Sequence, residues 1–310
     1  MKKRLLTALV AGLLLLSACT APASQPTATE SAPAQTDDGT LHVLATTYPV
    51  YLFTTAVTAG VEGVEVSLLV NQQTSCLHDY TLTVNDMKAI DGADVIAMNG
   101  AGLEDFMDDA LASSETPRID CSEGIELRAA VDRDGHSHDG EYDPHIWMDP
   151  NNAAAMVDTL AARLGELDAA NADAYVGNAS MAKESLTSLA EEGTAMLSSL
   201  SHKELITFHD GFQYFAQAFG LDLLKAIEEE EGSEASAAEI QEMVTLVGEH
   251  DIPAIFTEVN GSDSTAQAIA RETGCKVYQL NMIMSGDGTG LTPYLEAMEA
   301  NLETLMEALG

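Results

Sequence analysis

Three histidines have the residue type and the setting for metal binding. His78 occurs in SCLHDYTLTVND, His145 in EYDPHIWMDP and His209 in ITFHDGFQYF, and successive members are 64 to 67 residues apart. Imidazole nitrogen suits zinc, and three imidazoles with one further ligand complete a tetrahedron. Spacing of this length carries no local metal motif such as HExxH. Each histidine taken alone is therefore better explained as a hydrogen-bonded turn residue.

The segment around His145 is constrained by its neighbours. Pro144 and Pro150 prevent a helix from running through it, and the only tryptophan of the chain, Trp147, follows two residues later. We expect a rigid, exposed turn that presents the imidazole. The preceding stretch GHSHDGEYD carries His136 and His138. It is interpreted either as a plain polar loop or as an accessory loop that captures metal transiently.

The order of strands and helices that must position these histidines predicts an α/β fold. Short β-branched runs alternate with helical stretches before Pro150 and again after residue 200, which is typical of parallel sheets. LHVLATTYPV, residues 41–50, is interpreted as the first strand. Between the two α/β regions, helical spacing of apolar residues predicts a long helix from Asn171 to Leu200.

These elements predict two lobes of parallel sheet with flanking helices, joined by one long bridging helix. The expected limits are 41–165 for the N-terminal lobe, 166–200 for the bridging helix and 201–310 for the C-terminal lobe. Ligands of open parallel sheets bind beyond the carboxyl ends of the strands. Histidine-bearing loops from both lobes would therefore line a cleft between the lobes.

The first forty residues have the layout of an export signal followed by a tether. Three basic residues precede an apolar run, and LSAC ends at Cys19, which resembles the lipobox of bacterial lipoproteins. An ordinary signal peptide with a chance cysteine is the alternative. We expect a signal peptide over residues 1–19 and a disordered tether over 20–40. The body would then lie outside the cytoplasm, anchored to the cell membrane by a lipid on Cys19.

The charge of the chain limits the classes of binding partner, and its cysteine count limits the number of disulfides. The 310-residue chain has 13 Lys and Arg against 50 Asp and Glu, a net charge of −37. This excess argues against nucleic acid as a partner and favours cations. Beyond Cys19 the chain has Cys76, Cys121 and Cys275, so at most one internal disulfide forms, and Cys76 with Cys121 is one candidate pair.

Four segments in the same order resemble the metal-binding lipoproteins of zinc and manganese ABC importers, the ZnuA or TroA-like family. They are LHDYTLTVNDMKAIDGADVIAMNGAGLED, DPHIWMDPNNAAAM, ITFHDGFQYFAQAFGL, and EASAAEI with AIFTEVNGSDSTAQAIARETGCKVYQL. The resemblance extends from about residue 41 to the C-terminus. It implies a TroA-like solute-binding fold and a monomeric protein that is not an enzyme. It also implies a divalent ion as cargo, with an ABC permease and its ATPase as partners.

The resemblance further implies that His78, His145 and His209 are the metal ligands. Relatives with glutamate at the third position tend to be manganese proteins, so histidine there favours zinc over manganese.

The fourth ligand is left open by two departures from the family pattern. Asn281 stands where the family often has a ligating aspartate, and Leu77 stands where some zinc members have a glutamate. Water is the first choice for the fourth position, followed by Glu258, then Cys76, with Asn281 as a weak oxygen donor.

Two other functions compete with metal delivery. Three histidines and a water also form catalytic zinc sites, so a zinc-dependent hydrolase is the rival from another class. No HExxH or nucleophile motif supports it. A surface adhesin is the third possibility, because some members of the family are thought to have that role.

Overall fold

A four-stranded parallel sheet forms the centre of the N-terminal lobe. The computed structural model describes residues 39–71, 80–112, 114–130, 142–226, 236–259 and 261–310. The lobe contains strands β1 (Leu41–Ala45), β2 (Val64–Leu68), β3 (Val95–Met98) and β4 (Arg118–Asp120), with helices α1 (Tyr48–Val57), α2 (Val84–Asp91) and α3 (Asp108–Ala112). The strand order is β2-β1-β3-β4. The central strands β1 and β3 are almost wholly buried, as expected for a parallel sheet covered on both faces.

The C-terminal lobe repeats the same arrangement. It contains strands β5 (Glu204–Thr207), β6 (Asp222–Ala226), β7 (Ala254–Glu258) and β8 (Lys276–Leu280), ordered β6-β5-β7-β8, with helices α6 (Gln213–Ala218), α7 (Ala237–Glu249) and α8 (Ser264–Thr273). All described pairings in both sheets are parallel. In this order the chain turns to opposite sides after β1 and β3, and again after β5 and β7. Each sheet therefore has a switch point between its two central strands, where ligands of such sheets bind.

Three long helices connect the two sheets. Helix α4 (Pro150–Leu167) is followed by α5 (Ala172–Leu197), and α9 (Thr292–Leu309) ends the chain. Helix α5 packs along α4 and also contacts α1 and α9. One apolar core extends from the N-terminal sheet through these helices to residues of β5, β7 and β8. The two sheets are thus held by shared packing as well as by the chain crossing between them.

The fold class predicted from the sequence is confirmed. Two parallel-sheet lobes with flanking helices are present, and the long helix expected from Asn171 to Leu200 is observed as α5. Helix α2 is preceded by its N-cap residue Thr83 in a capping box, in which Thr83 and Asp86 each accept the other's backbone N–H.

Two elements differ from the prediction. Residues 41–50 are not a single strand, because β1 ends at Ala45 and α1 starts at Tyr48. Proline is compatible with the first turn of a helix, where its missing N–H has no partner to lose, so Pro49 does not extend the strand. Strand β6 was also missed, because its edge position leaves it without a continuous apolar run.

Several expectations concern residues that the structure does not describe. The signal peptide and nearly all of the tether fall within residues 1–38, which lie outside the described residues. The numerical limits of the lobes stay a prediction. No helix in the described ranges is long and apolar enough to cross a membrane.

Candidate metal centre

His209 lies at the switch point of the C-terminal sheet. Strand β5 ends at Thr207, which is in register with Phe256 of β7, and the Phe208 N–H donates to the Phe256 carbonyl at 2.9 Å. The same register places His209 beside Glu258, the last residue of β7. Pairing of adjacent parallel strands therefore brings an imidazole and a carboxylate together, although they are 49 positions apart in the chain.

His145 is fixed by the short segment that starts α4. It precedes a 3₁₀ helix, Ile146–Met148, and its backbone N–H donates to Asp143 Oδ1 at 2.9 Å. The Trp147 indole N–H donates to the Met282 carbonyl at 2.9 Å, which ties this segment to the chain after β8. The expected exposed turn is wrong: His145 is only 3% exposed. The Trp147 ring lies beside it, with ring centroids 5.2 Å apart.

The imidazoles of His145, from the segment before α4, and His209, from the C-terminal lobe, lie next to each other. Their Nε2 atoms are 3.2 Å apart, and their rings are almost perpendicular, with centroids 5.1 Å apart. Two nitrogens that bind one ion at about 2.0–2.1 Å in a tetrahedral arrangement lie about 3.3 Å from each other. The separation of the two Nε2 atoms is therefore close to that of two ligands of one tetrahedral ion.

A carboxylate faces the other ring nitrogen of each histidine. Asp143 Oδ1 lies 2.8 Å from His145 Nδ1, and Glu258 Oε1 lies 2.9 Å from His209 Nδ1. The Asp143 contact is an aligned hydrogen bond, whereas Glu258 Oε1 has the distance of an ion pair without that alignment. The Asp143 hydrogen bond assigns the proton of a neutral His145 imidazole to Nδ1, and the Glu258 carboxylate beside Nδ1 favours the same tautomer for His209.

This assignment leaves two unprotonated nitrogens facing each other. The Nε2 lone pairs of His145 and His209 repel at 3.2 Å unless a proton or a metal ion lies between them. Asp143 and Glu258 are almost fully buried, and Asp143 Oδ2 has no hydrogen-bond partner among the described residues. Buried negative charge is usually paired or placed around a cation. The arrangement therefore favours a bound cation, with imidazoles as ligands and carboxylates behind them.

The absence of a side chain at Gly211 leaves space for the rings of His145 and His209. A Cβ at this position would lie 2.9 Å from His145 Cδ2, 3.0 Å from His209 Cδ2 and 2.0 Å from Met282 Cε. Real Cβ atoms do not approach other atoms this closely, so the gap is filled by the two rings and the methionine. Any larger residue would have to displace these side chains.

Asn281 forms hydrogen bonds with the backbone of Ile283 and with the side chain of Asn301. Its side-chain oxygen accepts the Ile283 N–H at 2.7 Å, and its own backbone N–H donates to Asn301 Oδ1 at 2.7 Å. Ile283 has a φ of +62°, a left-handed conformation that is costly for a β-branched residue. The asparagine side chain stabilises this strained turn.

The remaining candidate ligands are only partly described. His78, Cys76, His136 and His138 lie outside the described residues. Within the described ranges, no three His, Cys, Asp or Glu side chains form a complete metal site. Cys121 is a free, buried thiol, and its suggested partner Cys76 lies outside the described residues.

Sequence reasoning missed Asp143, Gly211 and Met282. Asp143 had a usable signal, because a carboxylate two residues before a ligand histidine can accept from both its backbone and its ring. Gly211 and Met282 had no such signal, since their roles depend on which parts of the chain meet.

The family model described as zinc-uptake complex component A, periplasmic, matches residues 43–308. The zinc-binding protein AdcA of Streptococcus pyogenes serotype M3 is 28% identical over 295 residues, covering 86% of this chain and 56% of the relative. The chain thus spans little more than half the length of that relative. The manganese-binding lipoprotein MntA of Halalkalibacterium halodurans is 26% identical over 239 residues, covering 75% of this chain and 77% of the relative.

Solved structures give the same fold. The laminin-binding protein Lmb of Streptococcus agalactiae is described as bifunctional, with adhesin and metal transporting activity. It superimposes with a TM-score of 0.74 and 30% identity, over 87% of this chain and 100% of Lmb.

Proposed function

The chain belongs to the family of zinc-uptake complex component A, and on that premise we propose that it captures zinc outside the cytoplasm for an ABC permease and its ATPase. The observation that carries the proposal is the pair of Nε2 atoms of His145 and His209, 3.2 Å apart with a carboxylate behind each ring. His78 completes the proposed set of three imidazoles. The ion is cargo, to be bound tightly and then released.

Zinc is the proposed cargo because the donors are nitrogens. Imidazole suits zinc, whereas manganese prefers carboxylate and carbonyl oxygen. Relatives named for zinc and for manganese both match this chain, so the donor set has to distinguish between them. We propose water as the fourth ligand. Glu258 faces the far nitrogen of His209 and Asn281 holds a backbone turn, so neither is needed as a ligand.

The hydrolase alternative is set aside because the family is one of transport components. Glu258, a carboxylate that could serve such an enzyme as general base, lies 2.9 Å from His209 Nδ1. A base behind a ligand ring is not positioned to activate a water on the ion.

Titration of the purified full chain tests the proposed cargo. We expect one tight zinc site and clearly weaker manganese binding in competition with a metal-sensitive dye, with no hydrolysis of ester or peptide substrates. Equal or tighter manganese binding would overturn the assignment of zinc. Zinc-dependent hydrolysis would restore the enzyme alternative.

Lipid anchoring at Cys19 is proposed from the leader sequence. We expect Cys19→Ser to lose labelling by a fatty-acid analogue in a bacterial host and to leave the membrane fraction. Undiminished labelling of the variant would refute this anchor.

The carboxylates behind the rings are proposed to orient the ligands. Asp143→Asn and Glu258→Gln are each expected to weaken zinc binding roughly tenfold, because partners that orient metal ligands typically contribute 10- to 100-fold to affinity. Competition titration of each variant measures the change.

Glu204→Gln is the matched control for both variants. Glu204 Oε1 lies 2.9 Å from His250 Nδ1, the same kind of contact, but at the opposite end of β5. Its substitution should leave zinc affinity unchanged. If all three variants bind zinc like the wild type, the carboxylates do not orient metal ligands.

A further inference from the structure

Glu104 lies at the switch point of the N-terminal sheet, where the chain leaves β1 and β3. It is 3% exposed and lies among residues that follow the two central strands. Oε1 accepts from the Thr46 hydroxyl at 2.6 Å and from the Asn99 N–H at 2.7 Å, and Oε2 accepts from the Gly100 N–H at 3.0 Å. The Glu104 carboxylate therefore links the residues that follow β1 to those that follow β3 by hydrogen bonds.

Asn99 extends this contact to the metal centre. Its side-chain amide donates to the Pro144 carbonyl at 2.9 Å, 45 residues along the chain, and to the Gly100 carbonyl at 2.9 Å. Pro144 directly precedes His145. Gly100 also lies close against Asp120, because a Cβ added to this glycine would be 1.9 Å from Asp120 Oδ1. A hydrogen-bonded route thus runs from Glu104 through Asn99 to the backbone of His145.

We propose that Glu104 is a positioning residue for the metal ligand His145 and acts through Asn99 and the Pro144 carbonyl. The inference rests on the proposed function, since it concerns the same metal site. The ionised carboxylate fits this role, because three donors converge on its two oxygens. Protonation would place an O–H among these donors and loosen the turn that holds Asn99.

Burial raises the pKa of Glu104 to about 7, although its three hydrogen bonds act in the opposite direction. Asp120 also raises this pKa by charge repulsion, and Cys121 is the other titratable neighbour that interacts with Glu104. Because the ionised form holds the ligand, its contribution to zinc affinity should be complete well above pH 7. That contribution should be lost as the pH falls through about 7.

Glu104→Gln tests the proposal, because glutamine resembles the protonated acid at every pH. We expect the variant to bind zinc about tenfold more weakly than the wild type at pH 8. The ratio of the two dissociation constants should approach one at pH 5.5. The free energy of unfolding of the metal-free protein should follow pH in the opposite direction. Because folding raises the pKa of the Glu104 carboxyl, the wild type should lose stability relative to the variant as the pH rises from about 5 to 8.

Two further variants separate a positioning role from a structural one. Asn99→Ala should lower zinc affinity at pH 8, and adding Glu104→Gln to it should cause little further loss, because both act on one route. Glu123→Gln, a surface carboxylate of the same lobe paired with Arg163, should change nothing. A ratio that stays constant between pH 5.5 and 8, or unchanged affinity in Glu104→Gln at pH 8, overturns the proposal.

His145→Ala distinguishes this failure from that of the proposed function. If His145→Ala binds zinc as tightly as the wild type, the metal site itself is wrongly assigned. If it loses zinc binding while Glu104→Gln retains full affinity, only the role of Glu104 is refuted.

Discussion

Replacing His209 by alanine is expected to weaken zinc binding by about a hundredfold or more. Tetrahedral zinc sites in proteins bind with roughly 10–16 kcal/mol, so the loss of one imidazole removes about 3 kcal/mol even when water replaces it. The loss also leaves Glu258 buried without its imidazole neighbour. Competition with a zinc chelator of known affinity measures the change.

Tryptophan fluorescence gives a second measurement of the same event. Trp147 is the only tryptophan, is fully buried, and lies with its ring centroid 5.2 Å from that of His145. Zinc added to the wild type should change its emission at one equivalent. His209→Ala should need about a hundredfold more zinc for the same change.

His250→Ala is the matched control in the same lobe. His250 Nδ1 lies 2.9 Å from Glu204, so the substitution removes an imidazole beside a carboxylate without touching the proposed centre. Its zinc affinity should equal that of the wild type. If both alanine variants retain wild-type affinity, the ion is held elsewhere and the proposed function fails.

The sequence was most informative where a short pattern carries its own physical cause. The capping box at Thr83 is closed by two hydrogen bonds within four residues, so no distant part of the chain is needed to predict it. The alternation of strands and helices likewise predicted two parallel sheets, because parallel strands require crossovers. Motif resemblance indicated His145 and His209 as candidate ligands, and the structure places their Nε2 atoms 3.2 Å apart.

The sequence was least informative where a contact joins distant segments. The Trp147 ring beside His145 donates its indole N–H to the Met282 carbonyl, 135 positions along the chain. The contact between His209 and Glu258 depends on the register of β5 against β7. Neither pairing leaves a periodic signal, so the sequence did not predict that the Glu258 carboxylate lies 2.9 Å from His209 Nδ1.

Gly211→Ala is expected to reduce zinc affinity by roughly a hundredfold without removing any ligand. The new Cβ would lie 2.9 Å and 3.0 Å from the Cδ2 atoms of His145 and His209, whereas carbon atoms pack at about 3.5–4.0 Å. The rings must therefore move by about 0.5 Å or more. Metal–ligand distances tolerate only about 0.2 Å, so the two Nε2 atoms would no longer suit one ion.

The same substitution should also destabilise the metal-free protein. Met282 Cε lies 2.0 Å from the position of the new Cβ, and overpacking of this kind costs about 1–3 kcal/mol. Chemical denaturation without metal measures this cost separately from zinc affinity. A loss of stability with unchanged zinc binding would show that the gap at Gly211 serves packing alone.

Gly248→Ala is the control that adds the same methyl group far from the two imidazoles in the sequence. Gly248 lies inside helix α7, and a Cβ there meets no atom within 4 Å. Alanine in a helix interior is favoured over glycine by about 0.5–1 kcal/mol, so this variant should be slightly more stable than the wild type and should bind zinc equally well. The two variants add the same methyl group, so any difference between them in stability or zinc affinity would come from the surroundings of each glycine. Of these two glycines, only Gly211 would bring the methyl group against the two imidazoles of the proposed metal centre.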